Sequence, residues 1–335
     1  MDYRLPGGLK HYLRWVRTQT NISYKKWNSK KIAFVGVLIA ISVVFFLISV
    51  RIFPITALPS FKFSFIGLPI KITGFIFGPL VGVITGVLAD LISFALVPTY
   101  YNFLYTLAVA TAGFIPGLAA YYFFNMNEIF FSRNYRIYKF KEYVEYFKIQ
   151  YDNAVVRGNS EDLQYFSERI AFYEVKIILL EARKKPTAMI NFSFISTVLM
   201  LALQVLIILA IFSKLDASIF ELNRFIKNKI FYIILTISGY CAMFIFVVFY
   251  RLFLKKNYQT FIEVMAIISF CAVLEFINVI LLSWADTSTL KTDFWVNITG
   301  QTLLSPVKIF FNLAIILATY KIIATLIKSK EGDRF

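Results

Sequence analysis

The sequence predicts an all-α integral membrane protein, and three observations carry that prediction. Of 335 residues, 59% are hydrophobic and 16% charged, where a soluble domain holds about 25% charged residues. Mean hydropathy is +0.70. The apolar residues are gathered into runs of spanning length, about 20 residues each. A water-soluble chain of this size has no means of hiding so much apolar surface.

The elements follow in order. Residues 1–31 form a basic segment with eight Lys or Arg and without the apolar region and cleavage site of a signal peptide. With Trp15 and Trp27 among its cations, it either lies on the inner leaflet against anionic headgroups or only sets orientation. The first span is 32–50. The block 63–124 is interrupted by Pro69, Pro79, Pro98 and Pro116, and divides into helices near 63–78, 79–97 and 103–124, the first two short. Four further runs, 189–212, 230–249, 261–283 and 303–323, complete eight spans, and 327–335 is a short tail.

Residues 125–187 differ in kind, with eleven basic and nine acidic residues mixed among aromatics at helical spacing. They read as a helical hairpin turning at Arg157-Gly158-Asn159-Ser160 and ending at Pro186. Ser160, followed by Glu161 and Asp162, suits an N-cap. The hairpin is either a solvated insertion or a docking surface for another subunit.

An even number of spans places both termini on one side. That side holds 26 Lys or Arg and the other seven, which orients both termini to the cytoplasm of a multi-pass cell-membrane protein. The net charge of +16 is accounted for by this topology, without a nucleic-acid partner.

Chemistry is scarce. One histidine, His11, and two cysteines, Cys241 and Cys271, exclude a metal centre built on His or Cys, a Cys/His nucleophile pair and a disulfide framework. No phosphate-binding loop is present, so the chain is read as a non-enzyme without cofactors.

The most informative segment is LPIKITGFIFGPLVGVITGVLADLISFALVP. Gly74, Gly78, Gly82 and Gly86 fall four apart, and Asp90 continues the series. Pro79 forbids one uninterrupted helix, so the ladder crosses a tight helix–helix junction. In the second of these helices Gly82, Gly86 and Asp90 share a face, where glycine admits either another backbone or a flat ligand. A carboxylate within a span is costly unless paired or facing a polar cavity. Lys71 and Arg51 are its available partners, and Lys308, Glu263 and Glu275 are the other ionisable groups within spans. Gly113 and Gly117 extend the small-residue pattern to the next helix, and Gly36-x-x-x-Ala40 makes a smooth patch on the first.

Taken together, Leu68-Pro69-Ile70, Gly74, Phe77-Gly78-Pro79, Gly82, Gly86, Asp90, Pro98 and the Gly113…Gly117 helix resemble the substrate-binding S component of energy-coupling factor (ECF) vitamin transporters, its folate-specific branch most. Arg51 stands where that branch carries an arginine, and Gly36/Ala40 resembles the patch that docks on the coupling subunit. The resemblance covers about residues 30–124 and, more weakly, 257–326, where Phe276-Ile277-Asn278 and Leu304-Ser305-Pro306-Val307 match. The arginine and short glycine loop that usually precede the last helix are missing.

The resemblance implies a six-helix core formed by 32–124 and 257–326. An insertion then supplies the cytoplasmic hairpin (125–187) and an extra pair of transmembrane helices (188–256). It also implies capture of folate from outside, in partnership with a transmembrane coupling subunit and two cytoplasmic ATPases. A flat, anionic vitamin asks for aromatic walls and cations. Arg51 is then the first carboxylate contact and Lys71 the second. Asp90 accepts from the ring or holds a cation in place. Tyr101, Asn102 and Phe103, with Tyr100, close the mouth, the alternative for the two tyrosines being an interfacial aromatic belt. Riboflavin is the alternative ligand, and a membrane scaffold without a ligand is the reading from another class.

Overall fold

A computed structural model describes residues 29–52, 59–98, 101–126, 133–182, 187–221, 226–253 and 258–331. Readings that concern the basic segment up to residue 28, Tyr100, Pro186 and the last four residues lie outside the described set, as does the Arg51 side chain. The chain forms two compact units, one comprising Asn125–Phe192, the other Ser29–Phe124 with Ser193–Phe335.

The larger unit is entirely helical among its described residues: α1 (Ser29–Ile52), α2 (Pro59–Phe77), α3 (Pro79–Leu96) and α4 (Phe103–Ala120), which runs on into one wide π turn, Tyr121–Met126. After the hairpin helices α5 (Arg133–Arg157) and α6 (Ser160–Ala182) come α7 (Thr187–Lys214), a short α8 (Ala217–Glu221), α9 (Lys229–Phe253), α10 (Tyr258–Leu290), α11 (Phe294–Leu303) and α12 (Ser305–Glu331).

Among the described residues, six helical stretches have the length and composition to cross a bilayer: Lys31–Ser49, Pro79–Leu96, Phe103–Phe124, Ala188–Lys214, Lys229–Phe253 and Thr260–Leu290. The bent pair Phe294–Leu303 and Ser305–Lys321 makes a seventh, and α2 supplies a shorter apolar stretch, Gly67–Phe77. The protein is an all-α, multi-pass membrane protein.

Small residues point inward and large ones outward, the reverse of a soluble helix. On α3, Gly82, Gly86, Ala89 and Ser93 are buried, while Leu80, Ile84, Leu88 and Leu91 are exposed. Lipid tails are as apolar as leucine, so burying Leu gains nothing, whereas small residues let backbones meet. The centre of the unit is α4, which packs on α2, α3 and α10.

Three boundaries correct the sequence reading. The last span, expected as one helix over 303–323, is broken at Leu304 with a 48° bend. Pro306 has no N–H to give and its ring excludes a carbonyl four residues back, so it begins a helix rather than continuing one. The span expected over 261–283 continues to Leu290, because Thr287 and Ser288 donate to the carbonyls of Ser283 (2.8 Å) and Ala285 (2.9 Å) and stay helical. It stops at Lys291, whose φ is 54°. Pro69 and Pro116 interrupt nothing and lie inside α2 and α4. The π turn that follows α4 went unforeseen.

In the smaller unit α5 and α6 pack against each other around Tyr143, Phe147, Ala154 and Phe166, with Phe147 stacked on Tyr173 at 5.9 Å. The turn holds Gly158 at φ 68°. Asn159, not Ser160, caps α6: its Oδ1 accepts from the amides of Glu161 (3.2 Å) and Asp162 (3.5 Å), leaving Ser160 as the first helical residue.

Candidate functional site

The glycine ladder is a seam between backbones. A Cβ on Gly74 or Gly82 would run into the carbonyl of Gly113, and one on Gly113 into Gly82. A Cβ on Gly86 would lie 2.6 Å from the Val109 carbonyl oxygen, and one on Gly117 would lie 2.5 Å from the Pro79 Cα. Helix packing consumes this face, and no room is left there for a flat ligand. Gly78 differs: nothing lies within 4 Å of its Cβ position, but its φ is 96°, a conformation that only glycine adopts without strain. Its amide closes α2 on the Gly74 carbonyl (2.9 Å), and its carbonyl accepts from Gly82 (3.1 Å). Gly78 is therefore the corner between α2 and α3 rather than a packing residue.

The polar residues of the spans gather elsewhere. Lys71, Lys308, Glu275 and Asp286 are each between 2% and 6% exposed. The Lys71 ammonium donates to Asn312 Oδ1 (2.9 Å). Lys308 pairs with Glu275 (3.6 Å) and donates to Gln301 Oε1 (3.4 Å). Ser305 donates to Glu275 (3.0 Å). Gln301 then donates to Asp286 Oδ2 (2.9 Å), whose Oδ1 accepts from Tyr105 (2.6 Å). Two lysines and two carboxylates thus share one buried region supplied by α2, α4, α10, α11 and α12. Each charge would be expensive alone at membrane depth and is tolerable in such company.

At the start of α4, Thr106 brings Asp90 and Tyr101 together. Thr106 donates to Asp90 Oδ2 (2.6 Å) and lies 3.3 Å from the Tyr101 hydroxyl. The Tyr101 ring packs on Phe94 at 5.3 Å. Asn102 caps α4 through the Leu104 amide (3.0 Å). Its Nδ2 donates to Ser288 (2.6 Å), Thr289 (2.9 Å) and the Ala285 carbonyl (3.4 Å), tying α4 to the end of α10. Phe103 is exposed. Ser93, buried one turn on from Asp90, has no hydrogen-bond partner for its hydroxyl.

The expected pairing of Asp90 with Lys71 is not formed, and its alternative, Arg51, has its side chain outside the described residues. The described partner of Asp90 is Thr106, and that of Lys71 is Asn312, because the ladder turns the Gly82 face of α3 onto α4 rather than onto the lysine. Tyr105, Thr106, Asp286, Gln301 and Asn312 were missed. Asp286 was hidden by ending its span at Ser283; Gln301 and Asn312 carried a readable signal, since an amide inside an apolar run needs a partner. Gly36 and Ala40 are exposed on α1, and nothing lies within 4 Å of a Cβ placed on Gly36.

A separate small, mostly apolar recess lies among α7 and α9–α12, walled by Phe212, Tyr240, Phe276 and Val279 with Thr302 and Ser305. It contains none of the predicted site residues. Tyr232 borders this region on α9, donating to the Thr299 carbonyl (2.5 Å) and sharing a short hydrogen bond with Thr302.

No curated protein and no solved structure matches the chain. Residues 26–140 match the family described as ECF-type riboflavin transporter, S component, which covers α1 to α4 and the first turns of α5. That match supports the ECF S-component family, whose members are vitamin-binding transporter subunits working with a coupling subunit and ATPases.

Proposed function

We propose that the chain captures folate from outside the cell and delivers it by association with an ECF transmembrane coupling subunit and two cytoplasmic ATPases, with both termini cytoplasmic. One observation carries this reading. The segment that matches the family also contains Asp90, Tyr101, Asn102 and Phe103, with Thr106 joining Asp90 to Tyr101 and Asn102 capping α4. The ligand lies over this end, with Asp90 and the Ser93 hydroxyl toward its ring nitrogens and Arg51 toward its carboxylates. Lys71 acts through the buried network, holding α2 to α12. The smooth exposed patch at Gly36 and Ala40 is the docking surface for the coupling subunit. Residues 125–256 are an insertion into the six-helix core.

A second ligand, riboflavin, has its own support. The matching family is described by riboflavin, and Lys71, the lysine expected to meet a carboxylate, is engaged with Asn312. Binding of folic acid and of riboflavin to the purified protein in detergent separates the two. Saturable folate binding that falls tenfold or more, ~1.4 kcal/mol, in Arg51→Ala supports the first reading. Riboflavin binding indifferent to Arg51→Ala replaces it with the second. A folded sample that binds neither ligand removes both.

A further inference from the structure

The hairpin is polarised along its length. Residues 133–141, at the start of α5, hold four basic residues and no acidic one; residues 172–185, at and beyond the end of α6, hold four basic and two acidic. Between them, 142–171 hold three basic and six acidic residues. The basic end is the end attached to membrane spans on both sides. The π turn after α4 closes at Met126, seven residues before α5, and α7 begins at Thr187, five residues after α6 ends.

That same end carries large apolar residues that stay about half exposed. The face of α6 toward α5 is Leu163, Phe166, Ile170 and Tyr173, a normal core stripe. The opposite face of its last three turns should be polar, and instead presents Phe172 (46% exposed), Val175 (54%), Ile178 (64%) and Leu179 (58%). The Lys176 ammonium stands 4.0 Å over the Phe172 ring at the border of this patch. Tyr138 is exposed on α5, near Arg136 and Lys139.

We propose that the hairpin is seated by this span-proximal end on the anionic headgroups of the leaflet from which it emerges. Four apolar side chains on two helical turns are far short of the roughly 800 Å² per partner of a stable protein interface. They are what an interfacial helix buries at the headgroup boundary, with cations around them. The charge gradient follows from the same seating: cations lie at the surface and the acidic middle and turn are directed away from it.

The full chain tests this with an environment-sensitive label on a single cysteine at Leu179→Cys, Val175→Cys or Val156→Cys, in a Cys241→Ala background that keeps only the buried Cys271. Each protein is reconstituted in vesicles of phosphatidylcholine alone, or of equal parts phosphatidylcholine and phosphatidylglycerol. In the mixed vesicles the labels at 175 and 179 are quenched by spin-labelled lipid and shielded from iodide, while the label at 156 stays open to iodide. Shielding falls in phosphatidylcholine alone, and Lys139→Gln or Lys141→Gln each lowers the ratio of shielded to open label by about fivefold, ~1 kcal/mol. Four results overturn the proposal: labels at 175 and 179 as open to iodide as at 156; shielding equal in both vesicles; shielding that grows with protein-to-lipid ratio, which marks a second copy; or shielding of all three labels alike.

Discussion

The helix α4 is held in two ways by two neighbouring regions. Toward α2 and α3 it meets backbone with backbone, Gly113 against Gly74 and Gly82, and Val109 against Gly86. Toward α10 it is held by side chains that hydrogen-bond, Tyr105 to Asp286 and Asn102 to Ser288 and Thr289. Within a bilayer the hydrophobic effect does not draw helices together, so association rests on close packing or on polar contacts. The glycine seam uses the first and the polar region the second. They fail differently: the seam has no slack for one added atom, whereas polar partners can be exchanged if both members change together.

The sharpest way to break this comparison is at the seam. Gly113→Leu has no volume to occupy between Gly74 and Gly82, and is expected to abolish folded protein, read as loss of the monodisperse peak in detergent chromatography. Gly36→Leu, where space is open, is the control and leaves the fold intact.

Next in size is the buried pair. Lys308→Met leaves Glu275 without its cation, at a cost of about 3–5 kcal/mol, visible as a large fall in thermal stability in detergent. The double variant Lys308→Met/Glu275→Leu recovers most of that loss, because two apolar groups need no partner. Recovery at the pair and none at the seam, for any substitution on the facing helix, is the expected distinction. A double variant no more stable than the single one would end it.

A smaller effect is expected at Asn312→Leu, which strips Lys71 of its described acceptor and costs about 1–3 kcal/mol. The hairpin gives the smallest. Asn159→Ala removes the cap of α6 for about 1 kcal/mol. The exposed pair Lys148–Glu174 at 3.2 Å contributes at most about 1 kcal/mol, so Lys148→Ala barely moves the melting temperature.

The two regions also differ in how far the sequence reveals them. Spacing of four along one helix is a local pattern, so the ladder could be read, and Pro79 marked the corner. The polar region joins residues far apart in the chain, Lys71 to Asn312 across 241 positions, and no local pattern pairs them. Asp286 looked like part of a loop because Asp286-Thr287-Ser288-Thr289 is a polar run; the back-bonding hydroxyls that keep it helical are visible only once α10 is formed. The capping residue was misplaced by one position because Asn159 and Ser160 are both good caps, and the positive φ of Gly158 decides between them. For the candidate site, Asp90 and the start of α4 were legible, while the partners that occupy Lys71 and Asn102 were not.

The seam has a mechanical consequence. A joint between backbones has no rotamers to re-sort, so α2, α3 and α4 cannot slide past one another by small steps. Any rearrangement must carry the three as one plate and be taken up where contacts are made by exchangeable side chains. That place is the bend at Leu304, where α11 meets α12 beside Gln301 and Lys308. The membrane unit thus divides into a stiff plate and an adjustable strut, with the Tyr105–Asp286–Gln301 chain as the bolt between them.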